Sequence, residues 1–452
     1  MRLQDTPPRF ESIEPVLLGP VEDMYWNVDE RLAGAFRGAV VVQLDGCIEA
    51  DFLAAALRRV QHRHPKLRAV IAQGSDGRRR YVFDTAAPPI PFEVKDYEEA
   101  EPPWREETRR LLQSSFPSAG PLAAVTVLRS RSLARSELLV AVHHAIADGA
   151  SAIVIVNDLL SAYADAEAHL DVRSNPVLPV VTATSAAASG GALGRLWVFR
   201  RFLRLQSQER RLRATGLPRA DNIPPQSQWV HWKFSREDTL ALVRRCRKEK
   251  TSLSGVLWSS LCCGLMDCLP LANATFKCQF PFSIRDMLQG SAGPVTAEDL
   301  GCFVSVMNEF YQVPTRPVFW ELARRAQTDL QAFVQHGGPT LYHRLSTSVI
   351  GKLLVQAASR AAVWSDERPS ALITHYGVLN FRDMYGSLRP QGCTLIFKND
   401  VIGPMLVMEG LVMGHRLNIG LAGDGLEPAF WERLHVAVRG HLDTAVGAQN
   451  PD

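Results

Sequence analysis

Over the first third of the chain, apolar residues come in short bursts separated by polar turns. Gly38–Leu44 (GAVVVQL) is apolar and β-branched and predicts a strand, closed by the Asp45-Gly46 turn. From Glu49 to His64 the apolar positions Phe52, Leu53, Ala56, Leu57 and Val60 switch to helical spacing, with Arg58, Arg59 and His62 on the other side. Pro65 ends that helix. Residues 67–73 and 79–83 predict short strands, and Tyr97–Ser114 a helix. Ala123–Leu128 and Glu137–Val142 predict two strands around a polar turn, followed by a helix from about Ala150 to Ala164.

The pattern changes over residues 172–226. Thr182–Gly194 is rich in Ala, Ser, Thr and Gly and predicts a flexible linker. Arg195–Arg213 is basic, with Trp197, Phe199, Phe202, Leu203 and Leu205 interleaved among its arginines. Two readings stand: a helix that docks on a membrane surface or an acyl carrier, or a solvated crossover helix that packs its apolar side on the core. After it, Trp229–Phe234 alternates like a strand, and Ser235 with Asp238 resembles a capping box ahead of Leu240, Leu242, Val243 and Cys246 at helical spacing. This echoes the strand–turn–helix at 38–64. The expected organisation is an N-terminal lobe over 1–171, a crossover linker over 172–226 and a C-terminal lobe over 227–452. The apolar run at 255–270 suits an acyl pocket or ordinary core, and its helical spacing is that of core.

Composition narrows the class. In 452 residues, 46% are hydrophobic and 21% charged, as in a globular protein with a sizeable core. Lys plus Arg is 50 against 47 for Asp plus Glu, a balance that makes no general case for nucleic acid. No run of about 18 or more apolar residues predicts a spanning helix, and Met1–Glu14 lacks the apolar core of a secretory signal. Eight cysteines without a C-x-x-C pair suit reduced thiols, so a cytoplasmic location is expected.

One short segment carries chemistry: His143-His144-Ala145-Ile146-Ala147-Asp148-Gly149, fed by the apolar strand ELLVAV and followed by an apolar helix. A strand-to-helix loop presents reactive side chains on a rigid frame. Imidazole titrates near neutrality and serves as a general base. An Asp four residues on can orient a ring or hold the loop, and Gly149 admits a backbone conformation or a close substrate approach that a Cβ blocks. Alternatives stand beside this. Two histidines and an Asp can ligate a metal, but adjacent histidines point differently and no third strong ligand sits nearby. His143 and Asp148 also fit the His-x4-Asp signature of glycerolipid acyltransferases, which resemble membrane-bound proteins. Two histidines hydrogen-bonded in a core would be the default for a lone His, but the combination His-His-x3-Asp-Gly behind a strand makes that the lesser reading.

The motif resembles the HHxxxDG signature shared by peptide-synthetase condensation domains, chloramphenicol acetyltransferases, plant BAHD acyltransferases, wax ester synthases and polyketide-associated acyltransferases. The likeness extends in family order over most of residues 15–310. Val21–Trp26 sits at the opening segment, Arg63-His64-Pro65-Lys66-Leu67-Arg68 resembles RHPxLR, and Gly120-Pro121-Leu122 resembles GPL. Phe282-Ser283-Ile284-Arg285 resembles a second-lobe strand ending in Arg, and Leu300–Val304 resembles the G-x-F-V segment. Departures argue against some branches. Asn380–Gly386 does not match the BAHD motif DFGWG, the wax ester synthase signatures are not evident, and Phe303-Val304-Ser305-Val306 lacks the Asn of the condensation-domain FVNT. A discrete acyltransferase of the polyketide-associated or alcohol-acyltransferase type, without adenylation or carrier segment, is the closest reading.

The resemblance implies an α/β fold of two chloramphenicol-acetyltransferase-like lobes with mixed sheets and a central tunnel between them. It implies His144 as catalytic base and Asp148 as a structural residue paired with an Arg, for which Arg285 is the candidate. His143 is implied as a packing residue, and His64 as structural. The implied reaction is acyl transfer from a thioester, acyl-CoA or a phosphopantetheinyl acyl carrier, to a hydroxyl or amine of a small-molecule or lipid acceptor. No metal and no tightly bound cofactor are expected, and a monomer is the expected state. Two alternatives remain: a condensation enzyme that forms amides between carrier-bound substrates, and a catalytically silent carrier-recruiting module.

Overall fold

The computed structural model describes residues 10–32, 36–98, 101–113, 116, 120–170, 176–186, 192–220, 227–290, 293–341, 369–397 and 405–447. The N-terminal residues 1–9, and residues 172–175, 187–191 and 221–226 of the expected linker, lie outside them. The chain forms two compact units, each assembled from separate stretches. The first takes residues 1–185, 288–303 and 381–397, and the second takes 186–287, 304–380 and 398–452.

The chain begins with β1 (Val16–Leu17), α1 (Pro20–Leu32), β2 (Arg37–Asp45), α2 (Ala50–Arg63), β3 (Ala69–Gln73), β4 (Arg79–Phe83) and β5 (Phe92–Asp96). It continues through α3 (Trp104–Gln113), β6 (Ala123–Ser130), β7 (Arg135–His143), α4 (Gly149–Glu167) and β8 (Ala183–Ala186). Then come α5 (Ala192–Arg211), β9 (Ser227–Lys233), α6 (Arg236–Lys248), α7 (Leu253–Cys268), β10 (Asn273–Ser283), β11 (Leu288–Gly290) and β12 (Gly293–Pro294). The described elements end with β13 (Val304–Pro314), α8 (Phe319–Gln335), β14 (Ala371–Val378), β15 (Arg389–Phe397), β16 (Leu406–Met413), β17 (Arg416–Asp424) and α9 (Pro428–Val446).

The first unit is built on a five-stranded sheet of order β15-β2-β7-β6-β5. Its pairs are antiparallel except β5–β6, so the sheet is mixed. Strand β7 is buried at eight successive positions, which requires cover on both faces. Helices α3 and α4 both pack on β2 and β7, and α2 packs on α4. Helix α2 buries Leu53, Ala56, Leu57 and Val60, the apolar stripe legible in the sequence.

The second unit is built on a six-stranded sheet of order β13-β10-β14-β16-β17-β9, also mixed. Its core centres on α7, buried at every position from Gly255 to Met266 and packed against α8 and α9. The apolar run at 255–270 is therefore core. Ser235 caps α6, its Oγ accepting from the Asp238 N–H at 3.0 Å.

The mixed α/β class expected from the sequence is the one observed, with local differences. The segment expected as one strand from residue 67 opens as a 3-10 turn, Pro65–Arg68, before β3. Pro65 has a fixed φ suited to a helical first turn. Helix α3 starts at Trp104 rather than near Tyr97, behind the Pro102-Pro103 pair. Part of the Ala- and Ser-rich stretch, expected as linker, is the strand β8.

Candidate active site

Strand β7 delivers the motif and α4 leaves it. His143 ends the strand, and its main chain pairs with Arg37 of β2. Asp148 is the N-cap of α4, with Oδ1 accepting from the Ser151 N–H at 2.8 Å. A short acceptor in extended backbone is what a helix start needs to satisfy its free N–H groups. The other carboxylate oxygen, Oδ2, accepts from the Phe303 N–H at 3.0 Å, and the Asp148 N–H donates to the Gly301 carbonyl at 2.9 Å. Ser151 completes the clasp. Its Oγ donates to the Gly301 carbonyl at 3.0 Å and accepts from the Gly301 N–H at 3.1 Å.

The Leu300–Phe303 segment is thus the partner of the motif loop within the first unit. Gly301 is required by close approach: a Cβ there would lie 2.5 Å from the Phe303 ring and 3.0 Å from Glu22 Oε1. On another side, the Tyr81 hydroxyl donates to the Ala145 carbonyl at 2.6 Å. Glu22 and Lys66, both buried, pair at 2.6 Å, with Lys66 also over the rings of Tyr81 and Phe303. Segments quoted for the family likeness, 21–26, 63–68 and 300–304, therefore meet around one loop.

The two histidines face different neighbours. His143 is buried; its Nδ1 accepts from the Ala145 N–H at 3.0 Å, so its proton resides on Nε2, 3.2 Å from Asp29 Oδ2. Burial alone would raise the Asp29 carboxyl, but His143, the Phe36 N–H and Arg37 together hold it below the usual carboxylate range. Trp26 and Phe116 pack on the His143 ring.

His144 is partly accessible and stacks against two aromatic rings. Tyr25 lies at 5.1 Å between centroids and Phe397 at 5.2 Å. Phe397 reaches this place because Gly38, its partner in the β2–β15 register, has no side chain; a Cβ there would lie 2.8 Å from the ring. Burial among these rings lowers the His144 pKa to about 4, against an opposing pull from the charge of Asp148. Above that pH the imidazole is neutral. Among the described residues its buried Nδ1 has no hydrogen-bond partner. Burial also raises the Tyr25 phenol, with Cys302 and Asp148 beside it, so it stays protonated. A small recess beside His144 is lined by Gly38, Val142, Asp148, Ala152, Leu395 and Phe397.

The remaining candidates fall in distinct places. Gly149 is the first helical residue of α4 and takes no positive φ, so the left-handed conformation allowed for it is not used. His64 is buried at the end of α2, 2.7 Å from Asp158 of α4, where it ties two helices together. Arg285 is buried in the second unit, at the start of the 3-10 turn that follows β10. Sequence reasoning missed Asp29, Tyr25 as a stacking residue, and Phe397. Only Tyr25 lay in a segment with a signal.

Comparison with known proteins gives a consistent set. A condensation-domain family model matches residues 30–342. CymA of Salinispora arenicola, a probable nonribosomal peptide synthetase, is 26% identical over 162 residues; the match takes in 36% of this chain and 2% of that protein. The trichothecene 15-O-acetyltransferase TRI3 of Fusarium sporotrichioides superposes with a TM-score of 0.70 at 12% identity, covering 98% of this chain and 100% of that one. Polyketide synthase associated protein 5 of Mycobacterium tuberculosis gives 0.65 at 18% identity over 96% and 99%. The first condensation domain of the CDA synthetase gives 0.66 at 14% identity over 96% and 97%.

Proposed function

Since this chain belongs to the condensation-domain family, we propose that it is an acyltransferase in which His144 serves as general base. The observation that carries the reading is the His144 imidazole, stacked against Tyr25 and Phe397 at the end of a buried strand, in a loop clasped by Asp148 and Ser151. The donor is a thioester, on coenzyme A or a phosphopantetheinyl carrier, and the acceptor is a hydroxyl or an amine.

In this reading Nε2 takes the acceptor's proton as its oxygen or nitrogen attacks the thioester carbonyl. A tetrahedral oxyanion forms and collapses, the carbon–sulfur bond breaks, and the thiolate recovers the proton from the imidazolium. The charge of Asp148 favours the imidazolium, so it steadies His144 while the proton is held. Asp148 is a positioning residue, since its oxygens are committed to the Ser151 and Phe303 N–H groups. His143 holds the strand end through Asp29. The role proposed for Gly149 is to leave space for substrate. The donor is a co-substrate, and no tightly bound cofactor enters the scheme.

The test mixes the purified protein with a panel of acyl-CoA esters, alcohols and amines and follows thiol release. Acceptor-dependent release should fall ~10²–10⁴-fold in His144→Ala, the usual worth of a general base. Undiminished release in that variant would remove His144 from the chemistry. The match to a peptide synthetase segment favours a second reading, amide formation between carrier-bound substrates. An enzyme of that kind turns over loaded carriers and ignores free acyl-CoA. Failure with both donors would leave a silent module.

A further inference from the structure

Helix α5 has two apolar faces. One is anchored in the second unit. Val198 and Leu205 are buried, and Trp197 stacks on His336 at 4.4 Å. Buried Arg201 donates to Glu309 at 2.5 Å and to the Asn308 carbonyl at 2.6 Å, while Arg204 reaches the same Glu309 at 2.8 Å. Lys277 pairs with Glu209, the one acidic residue of the helix. These contacts fix which side of α5 points outward.

The outward side is apolar as well. Leu193, Leu196, Phe199 and Leu203 follow one another by three, three and four residues, the spacing of a single helical stripe. Their exposures are 83%, 47%, 57% and 51%. Single exposed apolar residues need no explanation, but four on one face mark a contact surface. Arg195 and Arg200 flank the stripe, both exposed. Among the described residues neither meets a carboxylate, whereas Arg201 and Arg204 are neutralised by Glu309. No acidic side chain of α5 lies on this face, because Glu209 is taken by Lys277.

We propose that this face of α5 binds the surface of an anionic lipid bilayer, with the four apolar side chains set among the acyl chains and Arg195 and Arg200 against lipid phosphates. Charge decides the occupant. A stripe of leucines and phenylalanine bordered by arginines that meet no carboxylate among the described residues is the composition of a helix lying in the membrane interface. The stripe is ~15 Å long at 1.5 Å per residue, suited to lying on a bilayer. Among the described residues no helix is long and apolar enough to cross one. The association is peripheral and independent of the chemistry proposed at His144.

The test is co-sedimentation of the full chain with vesicles of phosphatidylcholine mixed with phosphatidylglycerol, beside vesicles of phosphatidylcholine alone. The expected result is binding to the mixed vesicles, weakened by salt. Two double variants, Leu196→Ser with Phe199→Ser and Arg195→Gln with Arg200→Gln, should each lower it by about tenfold or more. Both change exposed side chains, and an unchanged thermal melt shows that the fold is kept. The proposal is overturned if the wild type stays in solution with both vesicles, or if the Leu196→Ser, Phe199→Ser protein binds as well as the wild type. It is overturned equally if light scattering shows a dimer that this variant breaks while no vesicle is bound, since the stripe then serves a second copy of the chain.

Discussion

At the scale of single residues, the environment of His144 sets when it can act. Burial moves its pKa to about 4, so the neutral base persists through the physiological range and is lost only in acid. The rate of acyl transfer should therefore stay level as pH falls through 6.5, the ordinary histidine value, and drop as it nears 4. A pH profile of kcat/KM checks this, and an acid limb at 6.5 would contradict it. The same ring can be followed by NMR titration. Phe397→Ala lets water onto one face and should raise the pKa toward the ordinary value. Asp148→Asn removes the charge that favours the imidazolium and should lower the pKa further. Opposite signs in the two variants separate solvation from charge.

Between elements, the loop depends on partners from other parts of the chain. Ser151→Ala leaves both polar groups of Gly301 without their side-chain partner, and should cost ~1–3 kcal/mol in urea unfolding. The Glu22–Lys66 pair is buried, so removing one member strands a charge. Lys66→Met should destabilise by ~3–5 kcal/mol, and Glu22→Leu in the same chain should restore much of that. If the double variant is no better than the single, the pair acts through more than charge. The sequence made the capped α6, the striped α2 and the β7–loop–α4 run legible, because each rests on neighbours a few positions apart. Helix α5 was legible as basic and amphipathic, but which of its apolar sides faces the core was decided by Glu309 and His336, from other elements.

For the whole molecule, the notable feature is that the first unit is not a continuous stretch. Strand β15 borders β2 along Gly38–Asp45, and residues 301–303 clasp the motif loop, yet both belong to later sequence. A fragment of residues 1–185 would leave the β2 edge and the Asp148 clasp unpartnered. It should aggregate or melt without a cooperative transition, while the full chain melts cooperatively. A fragment with a sharp transition would show that these later segments add little. What the sequence by itself determined was the alternation of strands and helices, the family likeness, and the placing of His144 and Asp148 on a strand-to-helix loop, since covalent order and periodicity act locally. Only the tertiary structure decided what surrounds that loop. The rings of Tyr25 and Phe397, the Gly38 that admits one of them, and the Gly301 carbonyl come from distant positions. Desolvation and stacking, which set the state of His144, arise only when those positions are packed together.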